Sequence, residues 1–267
     1  MQVAGTPTYL DTARIIAKSA GEIMRTNFVL GMKKEWKDER SPVTATDLAI
    51  NELVIAEIKK QYPDHSILAE EGSDHDESHE YVWICDPVDG THNFSHGLPT
   101  ATFALALMRD KQPVLSVILD PFEDRMYWAE KGKGAFLNGQ PIRVSSSTSL
   151  KKTLIGLGKT RALKNMFPVM DELYQRGVSM ITGLSIHYFS TLVASGEFSA
   201  SIFGGTSAHD MTPGKILIEE AGGRVSDLYG NTPLRFDTDM PGQVCSNGGL
   251  HDEIISILAL GPDLKKA

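Results

Sequence analysis

The chain has 267 residues, 41% hydrophobic and 22% charged, proportions of an ordinary folded protein that exclude a disordered, collagenous or membrane-bundle class. With 34 acidic against 26 basic residues the formal charge is -8, which offers no broad basic footprint for a nucleic-acid backbone or an anionic membrane but leaves carboxylates for binding cations. Cys85 and Cys245 stand far apart with no paired spacing, so neither a disulfide framework nor a thiolate zinc site is expected, and both read as buried strand residues.

Residues Met1 to Pro7 lack the basic start and apolar run of a secretory leader, and no apolar stretch approaches the ~18 residues of a membrane span, so a cytoplasmic enzyme is expected. Between Leu10 and Phe28, Ala13, Ile16, Ala17, Ala20, Ile23 and Met24 recur at three- and four-residue steps and predict an amphipathic helix. A second helix follows Asp47, with Ile50, Leu53, Val54 and Ile58 inward, and stops at Pro63-Asp64. Two apolar runs, Ser66 to Ala69 and Tyr81 to Cys85, read as strands whose ends deliver Glu70-Glu71 and Asp86 to one place. Extended runs over 102–108, 114–119, 126–129, 135–137 and 142–144 predict an antiparallel meander, with Asn138-Gly139 as a hairpin turn because both positions require positive φ.

A serine cluster at 145–149 reads as a hinge between two lobes, residues 1–145 and 146–267. Beyond it, strands are expected at 154–157 and 198–203 and helices at 167–176, 187–194 and 213–220, with a last regular stretch at 250–260. The class is α+β.

The chemistry concentrates in Trp83-Ile84-Cys85-Asp86-Pro87-Val88-Asp89-Gly90-Thr91. Two carboxylates three apart at a strand end aim at one cation cluster, while the N–H groups of Gly90 and Thr91 open a helix toward an anion. Hard oxygen ligands beside a phosphate point to Mg²⁺ rather than zinc. An Asp-rich turn that only caps a helix would look the same in isolation. An aspartyl-phosphate enzyme needs one residue between its aspartates; here Pro87 and Val88 intervene, which disfavours a covalent route through Asp86.

Five ordered motifs then resolve the ambiguity. Ser41-Pro42-Val43-Thr44-Ala45-Thr46-Asp47, Glu70-Glu71-Gly72, the aspartate pair, Asp210, and Glu220-Ala221-Gly222-Gly223 together resemble the signature of the inositol monophosphatase family. The resemblance extends to Asn93 through Pro99 and Gly132 through Gly139, and so spans roughly residues 10 to 260. It implies a two-lobed, layered αβαβα sandwich of the sugar-phosphatase type, with the meander in the first lobe and a mixed sheet in the second. It also implies a Mg²⁺-dependent, lithium-sensitive phosphomonoesterase, commonly a homodimer, with two or three ions.

By that resemblance Glu70, Asp86 and the Val88 carbonyl hold one ion, and Asp86, Asp89 and Asp210 a second. The substrate phosphate lies on both ions and on the amides of Gly90 and Thr91. Asp47 and Thr91 orient and help deprotonate a metal-bound water with Glu70 beside it, so that metal-activated water attacks phosphorus directly. The substrate implied is a small sugar or polyol phosphate of the inositol-1-phosphate type, recognised in part through Ser185 and Asp210.

Three departures bear on substrate choice. Ala208-His209-Asp210 lacks the family's usual Trp before the aspartate, Phe203 replaces an acid that contacts inositol hydroxyls, and Leu184-Ser185-Ile186-His187 replaces a small-residue step lining the sugar. Fructose-1,6-bisphosphate, histidinol phosphate and 3′-phosphoadenosine 5′-phosphate therefore stay open, as does a non-catalytic role in binding a ligand or partner. Lys159 and Arg161 lie where relatives place residues beside the substrate, and otherwise read as solvated charges. His187 and His209 read as structural, and 74–79 as a polar loop.

Overall fold

In the computed structural model, which describes residues 7–36, 42–73, 79–158, 166–233 and 235–261, the first helix, α1 (Tyr9–Asn27), begins at a reciprocal cap between Thr8 and Asp11. It buries the stripe expected of it, Ala13, Ile16, Ala17, Ala20 and Met24. A two-stranded ribbon, β1 (Glu35–Trp36) with β2 (Pro42–Val43), leads to α2 (Ala45–Gln61), which buries Ile50, Val54 and Ile58.

The larger sheet runs in chain order: β3 (Ser66–Ala69), β4 (Tyr81–Asp89), β5 (Thr102–Arg109), β6 (Gln112–Asp120), β7 (Arg125–Glu130), β8 (Gly134–Leu137) and β9 (Gln140–Ile142). The β3–β4 pair is parallel and every later pair antiparallel. Asn138 and Gly139 take the positive φ values, 48° and 87°, that the β8–β9 turn demands. The last strand sits earlier than its apolar run suggested, ending at Ile142 rather than Val144.

Strand β5 shows why this sheet sits inside. Phe103, Leu105 and Leu107 face α1 and α2, whereas Ala104 and Ala106 face the opposite layer, and all five are fully buried. The alanines let helices α5 (Ile186–Ala194) and α6 (Ala208–Glu220) approach closely on that second side. Beyond them lies a mixed sheet in the order β11 (Ser179–Thr182), β10 (Leu154–Gly158), β12 (Ala200–Thr206), β14 (Met240–Ser246), β13 (Arg224–Ser226), parallel from β11 to β12 and antiparallel through β14. Its outer face packs on α4 (Phe167–Gln175) and α7 (His251–Leu258). The layers are therefore helix, sheet, helix, sheet, helix, the αβαβα sandwich that the resemblance implied.

Strands β11, β13 and β14 were not legible in the sequence. Strand β11 is mostly exposed and shows no apolar alternation, and β14 carries Pro241 and Gly242, which read as breakers. Helix α6 starts at Ala208 and runs through Pro213, which had marked its expected start. Its last residue, Glu220, accepts from the backbone N–H groups of Gly132 (2.8 Å) and Gly134 (2.9 Å), so two of the quoted motifs form one clamp between α6 and the β7–β8 turn. Both cysteines lie buried and free, in β4 and β14.

A buried histidine is expected to tie the fold's stability to pH. Ser226 Oγ donates to Asp227 O and is left to accept from His251 Nε2 (2.9 Å), while His251 Nδ1 accepts from Ser246 Oγ (2.7 Å), so the neutral ring is fully used. Burial, reinforced by Arg224, pushes the imidazole down from 6.5 to about 4. The unfolded chain takes up the proton first, so this stabilisation is complete above the unfolded value and is lost as pH falls toward 4. Between pH 7 and 4.5, urea unfolding should show the wild type losing about 2–3 kcal/mol more stability than His251→Gln. Equal losses would assign the acid sensitivity to other groups.

Candidate metal centre and phosphate site

Two aspartates three apart on a regular strand point to opposite faces. Strand β4 does not end at Cys85, as the sequence reading had it, but continues to Asp89 through a bulge: Asp86 pairs with Ala104 and Asp89 with Thr102. One extra residue in β4, at the Pro87-Val88 step where proline has no N–H to give, resets the alternation. Asp86 and Asp89 thereby turn to the same side.

Two further acids, Asp47 and Asp210, arrive at helix starts. Thr44 and Asp47 form a reciprocal cap on α2: Asp47 Oδ2 accepts from Thr44 N (2.8 Å) and Thr44 Oγ1 (2.5 Å). Its second oxygen accepts from Thr91 Oγ1 at 3.1 Å. Thr91 Oγ1 also lies 2.8 Å from the Val88 carbonyl, so one hydroxyl proton is shared between two acceptors. Asp210 makes the equivalent cap on α6, where its Oδ2 accepts from Ser207 N (3.1 Å) and Ser207 Oγ (2.9 Å). Asp89 Oδ2 accepts from Thr102 Oγ1 (3.1 Å) and from the free first-turn N–H of His187 in α5 (2.7 Å).

Asp86, Asp89 and Asp210, all buried, each place a carboxylate oxygen within 4.8 Å of the others. Like charges this close repel, and buried carboxylate oxygens are the donor set of a hard divalent cation. Glu70, directly after β3, lies outside that trio but lines the same cavity of about 370 Å³, with Val88, Gly90, Thr91 and Ser185. Gly90, at φ 85°, opens the short helix α3 (Thr91–Ser95) on the cavity wall.

Burial, not hydrogen bonding, separates the site acid from its structural twin. Asp11 makes the same cap with Thr8 on the surface, and that bond lowers its pKa. Asp47 is fully buried, and desolvation raises its carboxyl above the usual range despite the cap and the Thr91 bond. Cys85, beside Asp86, is pushed far up by burial and is an inert thiol.

Every residue given a role from sequence, Asp47, Glu70, Asp86, Val88, Asp89, Gly90, Thr91, Ser185 and Asp210, lies at this one place, with Asp47 reaching the cavity through Thr91. Phe203 does too, stacked on Gly158, where a Cβ would stand 2.2 Å from its ring. Lys159, Arg161 and residues 74–78 fall outside the described residues. Sequence reasoning gave no role to Thr44, Thr102 and Ser207, which hold the acids. The Thr-x-x-Asp and Ser-x-x-Asp spacings at 44–47 and 207–210 were the available signal.

The five-layered α+β fold thus brings acids from two strands of the larger sheet and from two helix starts to one cavity. Comparison with known proteins places it further. The profile of the inositol monophosphatase family matches residues 7–260, and the chain belongs to that family. It is similar to the Nus factor SuhB of Pseudomonas aeruginosa, 33% identical over 83% of this chain and 86% of that protein. It also resembles the fructose-1,6-bisphosphatase/inositol-1-monophosphatase of Thermotoga maritima, at 32% over 81% and 82%. The solved IMPase of Thermotoga maritima superposes with a TM-score of 0.87 at 28% identity, covering 96% of this chain and 98% of that one.

Proposed function

We propose that the protein is a Mg²⁺-dependent phosphomonoesterase that hydrolyses a small sugar or polyol phosphate of the inositol-1-phosphate type by direct attack of water. The observation that carries this reading is the buried trio Asp86, Asp89 and Asp210 beside the opening of α3. Those three acids, with Glu70 and the Val88 carbonyl, would hold two or three ions. When bound, divalent cations neutralise the phosphate dianion, stabilise the departing alkoxide and lower the pKa of a water they hold.

The protein's own groups do the rest. The amides of Gly90 and Thr91 receive the phosphate oxygens. The Thr91 hydroxyl, held between Asp47 and Val88 O, orients the attacking water and relays its proton toward the Asp47 carboxylate. Ser185 and Asp210 meet the alcohol side. On this reading Li⁺ inhibits turnover and the chain works as a cytoplasmic homodimer; among the described residues no helix is long and apolar enough to cross a membrane.

Phe203 favours a second reading of the substrate. Buried at the cavity wall with Leu184 and Ile186 nearby, it offers no hydrogen bond to a sugar hydroxyl, so the same chemistry on fructose-1,6-bisphosphate, histidinol phosphate or 3′-phosphoadenosine 5′-phosphate is the alternative. A panel of these phosphates and inositol-1-phosphate at fixed Mg²⁺ decides. The highest kcat/KM is expected for the polyol phosphate. A clear preference for another member overturns the substrate, a trapped phosphoenzyme overturns direct attack, and ion binding without any turnover would leave a binding protein.

A further inference from the structure

Helix α6 carries Asp210 and, three residues on, a proline. In a regular helix the carbonyl of His209 accepts from the N–H four residues later, but that residue is Pro213, which has none. The missing bond is made from outside. His187 Nε2 lies 2.8 Å from His209 O, and because a carbonyl only accepts, Nε2 carries the proton. The ring is completely buried. The neighbouring Gly214 is what lets α5 come this close: a Cβ there would stand 2.5 Å from Ser190 Oγ and 3.6 Å from His187 Nδ1. Pro213 thus removes a donor, Gly214 removes a side chain, and the imidazole of α5 occupies the opening.

The same histidine has a second attachment. Its backbone N–H donates to Asp89 Oδ2 at 2.7 Å. One residue therefore links Asp89, at the end of β4, to the peptide unit that precedes Asp210 in α6. We infer that His187 is a positioning residue: its ring supplies the hydrogen bond that Pro213 withholds, and so fixes the α6 start bearing Asp210 against the α5 start that anchors Asp89. The inference rests on the reading that these two acids hold ions. It goes beyond that reading by assigning the register between them to a side chain that touches neither ion nor substrate.

The test measures ion binding rather than turnover. Calorimetric titration of the full chain with Mg²⁺ and with Mn²⁺ should show His187→Leu losing about 10- to 100-fold in affinity, the usual range for partners that orient ligands. Its thermal transition should stay cooperative. His187→Gln, which keeps an N–H at the reach of Nε2, should bind ions close to wild type. Pro213→Ala restores a backbone donor to His209 O, so the double variant His187→Leu/Pro213→Ala should match Pro213→Ala alone. That last comparison remains informative if His187→Leu does not fold.

Unchanged affinity in a folded His187→Leu overturns the inference, as does a loss that neither Gln nor Pro213→Ala recovers, since the ring's bulk would then be what matters. Failure of the wild type itself to bind either ion would instead overturn the metal assignment of the site.

Discussion

Asp89→Asn is expected to lower kcat/KM by about 10³-fold or more while leaving the fold intact. The substitution keeps an oxygen to accept from Thr102 and His187, the two bonds that hold the side chain in place. What it removes is one of three buried negative charges lying within 4.8 Å. Two opposite consequences follow for stability. Without ions the variant should melt at or above the wild-type temperature, because mutual repulsion among Asp86, Asp89 and Asp210 is relieved. With Mg²⁺ the wild type should gain stability by mass action and the variant should gain little. Thermal scans with and without Mg²⁺, read beside the kinetics, test both. Near-normal turnover at saturating Mg²⁺ would sink the metal assignment.

Gly90→Ala is expected to damage stability and turnover together. Gly90 sits at φ 85°, a conformation that costs a side-chain-bearing residue about 1–2 kcal/mol. A Cβ there would also stand 2.8 Å from Ser185 Cβ and 3.3 Å from Thr100 O. Relief requires the opening of α3 to back away from α5, which takes the Gly90 and Thr91 amides with it. A shift of about 1 Å in such groups is worth roughly 10²-fold in rate. Gly132→Ala is the matched control. It has φ 76° with nothing within 4 Å of a Cβ, so it should show the backbone cost alone and normal kinetics. Removing the opposing carbon with Ser185→Gly in the Gly90→Ala background should recover part of the stability loss. If Gly90→Ala behaves like Gly132→Ala, the contact with Ser185 has no functional weight.

Much of the molecule was legible before any coordinates. The stripe of α1, the meander and the Asn138-Gly139 turn follow from periodicity and turn chemistry, which depend on near neighbours in sequence. The acids were legible for a different reason: their types and order carried a family resemblance, and the cavity collects them. What escaped depends on distant partners. The bulge that turns Asp86 and Asp89 to one side exists only against the register of β5. Strand β14 tolerates Pro241 and Gly242 because Val244 and Cys245, further along, are buried between β12 and β13. Pro213 read as a helix start because the donor that replaces its own, His187, is supplied by α5.

The assembly of the acids from separate layers has a bearing on the order of folding. Asp86 and Asp89 end a strand of the larger sheet, whereas Asp210 rides on α6, packed between the two sheets. The trio comes together only when the second half of the chain has docked, a closure over a long stretch of sequence. An ion that needs all three is a latch rather than a nucleus. If the trio holds Mg²⁺ and closes after the rate-limiting step, the ion should leave the early collapse rate unchanged and slow unfolding of the finished protein. A chelator added during refolding should therefore alter how firmly the last step holds and not how quickly the first ones occur.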